Sequence, residues 1–174
     1  MKASRPKKNI AVVLIDMQDF FLKNLSEPAR EDLIRNQSKV LDLCSQNSIP
    51  VITLEYNAGG TSRGETTQKL REKIIGTSIA TILKDSNSGF TDTKLDEILK
   101  SSDTKEIVLM GVNANGCVQD TAMGALRRGY KVTTCKRVIA NSSSDVHGLS
   151  MQNEKWFAEN TTLFAETEDL IDHL

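Results

Sequence analysis

Three side chains capable of covalent or proton-transfer chemistry each follow a short apolar run. Asp16 closes Ile10 to Ile15, Lys84 closes Ala80 to Leu83, and Cys117 follows Ile107 to Val112 across a small-residue loop bracketed by Gly111 and Gly116. A thiolate is a good nucleophile for a carbonyl or amidine carbon. A carboxylate beside it takes the thiol proton and delivers it to a leaving amine, provided burial raises its pKa toward neutrality. A nearby ammonium favours the ionised form of both. Cys117 also stands where a helical pattern begins, with Val118, Thr121, Ala122, Ala125 and Leu126 recurring up to Gly129. Unpaired N–H groups and the helix dipole at that end predict a lowered thiol pKa and a place for a tetrahedral oxyanion. Taken singly, each residue has an ordinary explanation: a turn aspartate, a solvated lysine, an inert buried cysteine. Their conjunction is the signal.

The elements that must position them follow from hydrophobic periodicity. Residues 10–15 read as a buried strand. Residues 28–46 read as a helix with Leu33, Ile34, Val40, Leu41 and Cys44 on one face and Pro28 in its first turn. Strands are expected at 50–55, 80–83, 106–112, 131–135 and 161–164. Between them lie a polar loop (56–65), a short helix (66–75), a helix capped by Thr91-Asp92, the Cys117 helix, and helices over 150–160 and 166–173. Alternating strands and helices imply one α/β domain over 1–174, a mainly parallel sheet covered on both faces. Ligands of such sheets bind beyond the carboxyl ends of the strands, which is where all three reactive residues fall.

Composition limits the function. The 174 residues carry a net charge of −1, so a basic surface for nucleic acid or an anionic membrane is not expected. The basic cluster Lys2, Arg5, Lys7 and Lys8 reads as a solvated tail over residues 1–8, and the apolar run behind it is too short to span a bilayer. Three cysteines without a Cys-x-x-Cys pair suggest a reducing, cytoplasmic setting. Two histidines, His147 and His173, are too few for a His-based metal site, and His147 reads as a surface-loop residue.

Three segments resemble the isochorismatase-like cysteine hydrolases, a family that includes nicotinamidases, N-carbamoylsarcosine amidases, ureidoacrylate hydrolases and isochorismatase. Val12 to Phe21 is similar to the family's opening DxQxxF strand. Lys84 to Phe90 is similar to its K…S-A-F segment, with Gly89 where Ala is usual. Gly111 to Gly129 is similar to its G…CV..TA..A...G segment. The resemblance implies a three-layer doubly wound α/β fold, strand order 3-2-1-4-5-6, and a catalytic triad of Asp16, Lys84 and Cys117. It further implies a cis Val112–Asn113 peptide, with the N–H groups of Asn113 and Cys117 as oxyanion hole.

On this reading the chain is a hydrolase with no cofactor. It cleaves a C–N bond of a small carboxamide or ureido compound through a thioester. The loop after the second strand, Glu55 to Gly60, lacks the histidines of the nicotinamidase metal set, so no metal is expected there. Gln18, Phe20, Phe21, Phe90 and Asn115 are candidate pocket residues, a homo-oligomer is expected, and Trp156 and Phe157 serve either core or subunit interface. The competing readings are a vinyl-ether hydrolase, a non-catalytic relative and a redox-sensing thiol.

Overall fold

The computed structural model describes residues 9–141 and 149–174. The basic tail at 1–8 and His147 lie outside the described residues. The elements, in chain order, are β1 (Ile10–Ile15), α1 (Asp19–Leu22), α2 (Glu27–Asn47), β2 (Val51–Tyr56), α3 (Gln68–Arg71), β3 (Ser78–Lys84) and α4 (Leu95–Ser101). There follow β4 (Glu106–Val112), α5 (Gln119–Arg127), β5 (Lys131–Cys135), β6 (Ile139–Ala140), α6 (Met151–Asn160), β7 (Thr162–Phe164) and α7 (Thr167–His173).

The strands pair in the order β3-β2-β1-β4-β5-β7, all in parallel, and helices flank the sheet. This is the expected α/β architecture. β7 is the sixth strand of the predicted order, and the two-residue β6 is an addition that pairs with β4 beside β5. β1 lies at the centre, between β2 and β4, and every one of its residues is buried, as its unbroken apolar run requires. α2 begins where Ser26 Oγ accepts from Ala29 N–H, and it packs against α3 and α7. Phe157 is fully buried in the core, whereas the Trp156 ring beside it is only half-buried.

Most boundaries shift by a residue or two and the helix expected at 66–75 shortens to Gln68–Arg71, and two of the differences have a visible cause. β3 starts at Ser78, two residues early, because its outer positions Ile79, Thr81 and Leu83 face solvent at the sheet edge and break the apolar run. α4 starts at Leu95, and Thr91-Asp92 does not cap it. Thr93 Oγ1 instead accepts from Leu95 N–H.

Gly111 fixes the junction between the two central strands. It pairs with Ile15, and a Cβ on Gly111 would stand 2.2 Å from the Ile15 carbonyl oxygen. Only glycine lets β1 and β4 meet so closely, one residue before Asp16.

Candidate active site

Asp16 leaves β1 with φ 53°, a left-handed conformation that aspartate tolerates better than most residues. Its N–H bonds Leu54 O at 2.9 Å, and its side chain is fully buried at the sheet edge. Lys84, the last residue of β3, reaches across from the far side of β2. Its Nζ donates to Asp16 Oδ2 and to Ser86 O, both at 3.1 Å, and lies 4.7 Å from the centre of the Tyr56 ring. Asp16 Oδ1 is also 3.1 Å from Nζ, yet it makes no well-formed hydrogen bond and keeps lone-pair capacity. Neither side chain of this ion pair has solvent-exposed surface.

Cys117 completes the cluster from the end of β4. The chain leaves β4 through Asn113 in a left-handed conformation and enters a π-helical turn, Ala114–Val118, that runs into α5. Asn113 O accepts from Gly116 N–H at 2.9 Å and Val118 N–H at 3.2 Å. Thr121 Oγ1 donates to Cys117 O at 2.6 Å and accepts from Gly89 N–H at 2.9 Å, so one hydroxyl ties the Cys117 turn to the loop after β3. Asn141 Oδ1 accepts from Asn115 N–H at 2.9 Å and steadies the turn from the other side. The Cys117 thiol and the Asp16 carboxylate lie close enough to perturb one another's proton affinity, so Asp16, Lys84 and Cys117 share one buried cluster.

The electrostatics of this cluster correct one expectation. Burial pushes the Cys117 thiol up to about 12, the Asp16 carboxylate raises it further, and Lys84 only partly opposes them. The helix-end argument for a lowered pKa omits this desolvation. At neutral pH the resting group is therefore the thiol and not the thiolate. Burial likewise raises the Asp16 pKa, more than the Lys84 charge and the hydrogen bonds lower it. A carboxylate with raised proton affinity beside a buried thiol has the chemistry of a general base, able to take the thiol proton. Alkylation of Cys117 by iodoacetamide should accordingly still be accelerating at pH 10, where an ordinary thiol of pKa about 8.5 has levelled off. A plateau at or below that ordinary value would contradict the buried-thiol electrostatics.

The cis peptide is a second correction. No cis bond occurs among the described residues, so Val112–Asn113 is trans. The left-handed conformation of Asn113, which this short polar side chain accepts, turns the chain instead. The oxyanion hole that rested on the cis geometry loses its basis at Asn113. The Cys117 N–H, which bonds no carbonyl outside its own turn among the described residues, remains as a donor.

A cleft of about 660 Å³ lies between the loop after β3 and α5, with Tyr56, Asn87, Ser88 and Phe90 among its walls. Phe90 is the one predicted pocket residue that lines it. Gln18 is fully buried and its amide is committed to backbone: Nε2 donates to Tyr56 O and Gly64 O, and Oε1 accepts from Tyr56 N–H. It positions the loop after β2 rather than a ligand. Phe20 lies on the surface between Lys23 and Arg63, 4.7 and 4.6 Å from its ring centre. Phe21 packs edge-on against Tyr56, and Asn115 is exposed on the turn before Cys117. Tyr56 and Asn87 were not singled out from the sequence. Tyr56 ends β2 and meets Lys84, and Asn87 lies in the loop after β3 and meets the thiol, contacts that depend on the sheet order.

In the loop after β2, the Glu55 carboxylate accepts from Thr66 N–H and Oγ1, and no cluster of three potential metal ligands occurs among the described residues. Gly89, where the family pattern has Ala, is explained by its surroundings. A Cβ there would lie 2.3 Å from Leu54 Cδ1 and 3.2 Å from Leu95 Cδ2, so these leucines occupy the space an alanine would need.

The Isochorismatase domain family model matches residues 10–166. The chain belongs to the isochorismatase family of hydrolases. It is 26% identical to Nicotinamidase 3 of Arabidopsis thaliana over 85% of this chain and 82% of that protein. It is 28% identical to Enterobactin synthase component B of Escherichia coli K12 over 92% of this chain, spanning 62% of that longer protein. Among solved structures, the N-carbamoylsarcosine amidase of Thermoplasma acidophilum superposes with a TM-score of 0.75 at 22% identity, covering 90% of this chain and 95% of that one, a likeness of fold. No helix among the described residues is long and apolar enough to cross a membrane.

Proposed function

We propose that this hydrolase cleaves a C–N bond of a small carboxamide or ureido compound, without a metal, through a thioester on Cys117. The observation that carries the reading is the sealed contact of Asp16, Lys84 and Cys117 at three strand ends. Asp16 accepts the thiol proton as sulfur attacks the carbonyl carbon. Lys84 holds the carboxylate in place and its charge stabilises the sulfur as it becomes anionic. The tetrahedral oxygen falls to the Cys117 N–H. Asp16, now carboxylic acid, returns its proton to the leaving nitrogen as the C–N bond breaks. It then deprotonates the water that hydrolyses the thioester, and the thiol is regenerated.

The raised thiol pKa weighs against a redox sensor, because the thiolate is the form that peroxide oxidises. Retention of the whole nucleophilic set weighs against the vinyl-ether reaction, which needs no thiol. Exposed Ile75, Ile79 and Leu83, on and beside the edge strand β3, are consistent with the homo-oligomer that forms part of this proposal.

A screen of small amides and ureides for ammonia or amine release tests the function. At least one compound should be turned over by the wild-type chain and none by Cys117→Ala. Equal turnover by both proteins would remove Cys117 from the mechanism.

A further inference from the structure

Asn87 links the cleft to the thiol, which does not itself line the cleft. Its Oδ1 lies 3.8 Å from Cys117 Sγ, and its side chain forms part of the cleft wall next to Ser86 and Ser88. Its Nδ2 has no hydrogen-bond partner among the described residues, so among them only the thiol claims this amide. The thiol has one proton, directed at the Asn87 amide oxygen, and the Asp16 carboxylate beside it is the competing acceptor. The charged carboxylate is the stronger acceptor. Once the proton is on Asp16, an anionic sulfur and the partially negative Asn87 oxygen face one another with no hydrogen between them. A substrate N–H placed at that point removes the mismatch.

The geometry of attack puts such an N–H there. The carbon under attack approaches sulfur to about 3–3.5 Å. A nitrogen bonded to that carbon then comes within hydrogen-bond reach of an oxygen that itself lies 3.8 Å from the sulfur. We propose that Asn87 Oδ1 accepts an N–H of the scissile carboxamide or ureido group, and that it is the specificity residue selecting a C–N bond over an isosteric ester, ketone or vinyl ether. This rests on the function proposed above and names the group that reads the substrate class. The same contact orients the departing nitrogen so that its lone pair is free to take the proton from Asp16. An ester oxygen or a methyl group at this place has no hydrogen to offer and leaves the Asn87 oxygen unsatisfied.

Alkylation of Cys117 tests the contact without requiring turnover. Chloroacetamide and chloroacetone differ by NH2 against CH3. With either, sulfur forms an S–C bond, the C–Cl bond breaks, chloride leaves and the thiol proton passes to Asp16. Rates at Cys117, followed by peptide mass and divided by the rate of each reagent with free cysteine, should favour chloroacetamide by about five- to tenfold in the wild-type chain. Asn87→Leu should lose that preference, the ratio of the two normalised rates falling to about one whatever the change in the absolute rates. Asn87 is exposed, so the substitution should leave the thermal midpoint unchanged. A wild-type chain without preference, or a preference that survives in Asn87→Leu, would overturn the assignment. The two proposals fail separately. Amide turnover with no reagent preference removes Asn87 alone, and a clear preference with no amide ever hydrolysed removes the hydrolytic reading alone.

Discussion

Asp16→Asn should lower kcat by about 10⁴ or more while the fold persists, because the isosteric amide fits the buried site but cannot accept a proton. The size of the effect follows from the thiol. With its pKa pushed up to about 12, Cys117 supplies almost no thiolate unaided at neutral pH, so the rate depends on an internal base. The wild-type kcat/KM should rise with pH through the raised Asp16 pKa, above the ordinary carboxylate range, since only the carboxylate form takes the proton. In Asp16→Asn that limb should vanish. The residual rate should instead climb about tenfold per pH unit until the thiol itself ionises, since spontaneous ionisation is then the one source of nucleophile. That ionisation should occur below about 12, because the Asp16 charge that raises the thiol pKa is gone. Stopped assays of product release between pH 5 and pH 10 check both limbs. A variant that keeps the wild-type profile would show that Asp16 is not the base.

Lys84→Met should destabilise the chain by about 3–5 kcal/mol, the usual consequence of leaving one partner of a buried ion pair alone. The Lys84–Asp16 pair has no exposed side-chain surface, so solvent screening does not soften the loss. The pH dependence has a definite sign. Asp16 has a raised pKa when folded, so between its ordinary value of 3.8 and that raised value the native state binds more protons than the unfolded chain. Stability therefore falls as pH rises through this window. Removing Lys84 deletes the largest influence that lowers the Asp16 pKa, which widens the window. The deficit of Lys84→Met relative to wild type, read from urea midpoints, should be larger at pH 8 than at pH 5. Adding Asp16→Leu to Lys84→Met should recover part of the stability and none of the activity. An equal deficit at both pH values would mean that the pair is not electrostatically coupled as the geometry indicates.

The parts of this site legible in the sequence are those encoded locally. Ile10–Ile15 and the part of β4 after Glu106, Ile107 to Val112, are continuous runs without a charged or polar side chain, so the strands and the residues that end them are visible without tertiary information. β3 is less so, because Ile79, Thr81 and Leu83 face solvent and half the strand carries no burial signal. β6 has two residues and no periodicity to detect. Gln18 stands next to the triad in sequence, yet its amide is claimed by Tyr56 and Gly64 backbone, 38 and 46 residues away. Nothing local announces that commitment. Asn87 is the converse, a loop asparagine that becomes a neighbour of Cys117, 30 residues on, only when β3 and β4 take their places in the sheet. The expected thiol pKa erred for the same reason: the helix end is a local feature, whereas the burial that outweighs it belongs to the whole fold.

The turn at Val112–Asn113 shows how far a family pattern reaches. Gly111, Gly116 and Cys117 occupy their expected places, and the reversal between strand and nucleophile is present. It is achieved by a left-handed Asn113 and a π-helical turn with every peptide trans. The motif fixes where the chain must turn and leaves more than one backbone solution open. On the proposed mechanism, oxyanion stabilisation falls to the Cys117 amide, near the end of the turn that leads into α5.

The most direct test of the covalent account is the mass of the Cys117 peptide during turnover. A substrate found in the ammonia screen is mixed with the wild-type chain, and the reaction is stopped in acid and digested. The account predicts an adduct on Cys117 equal to the acyl or carbamoyl group of the substrate, removable by neutral hydroxylamine as a thioester is and absent from Cys117→Ala. Full-rate hydrolysis by Cys117→Ala, with no adduct on the wild-type peptide under the same quench, would contradict it.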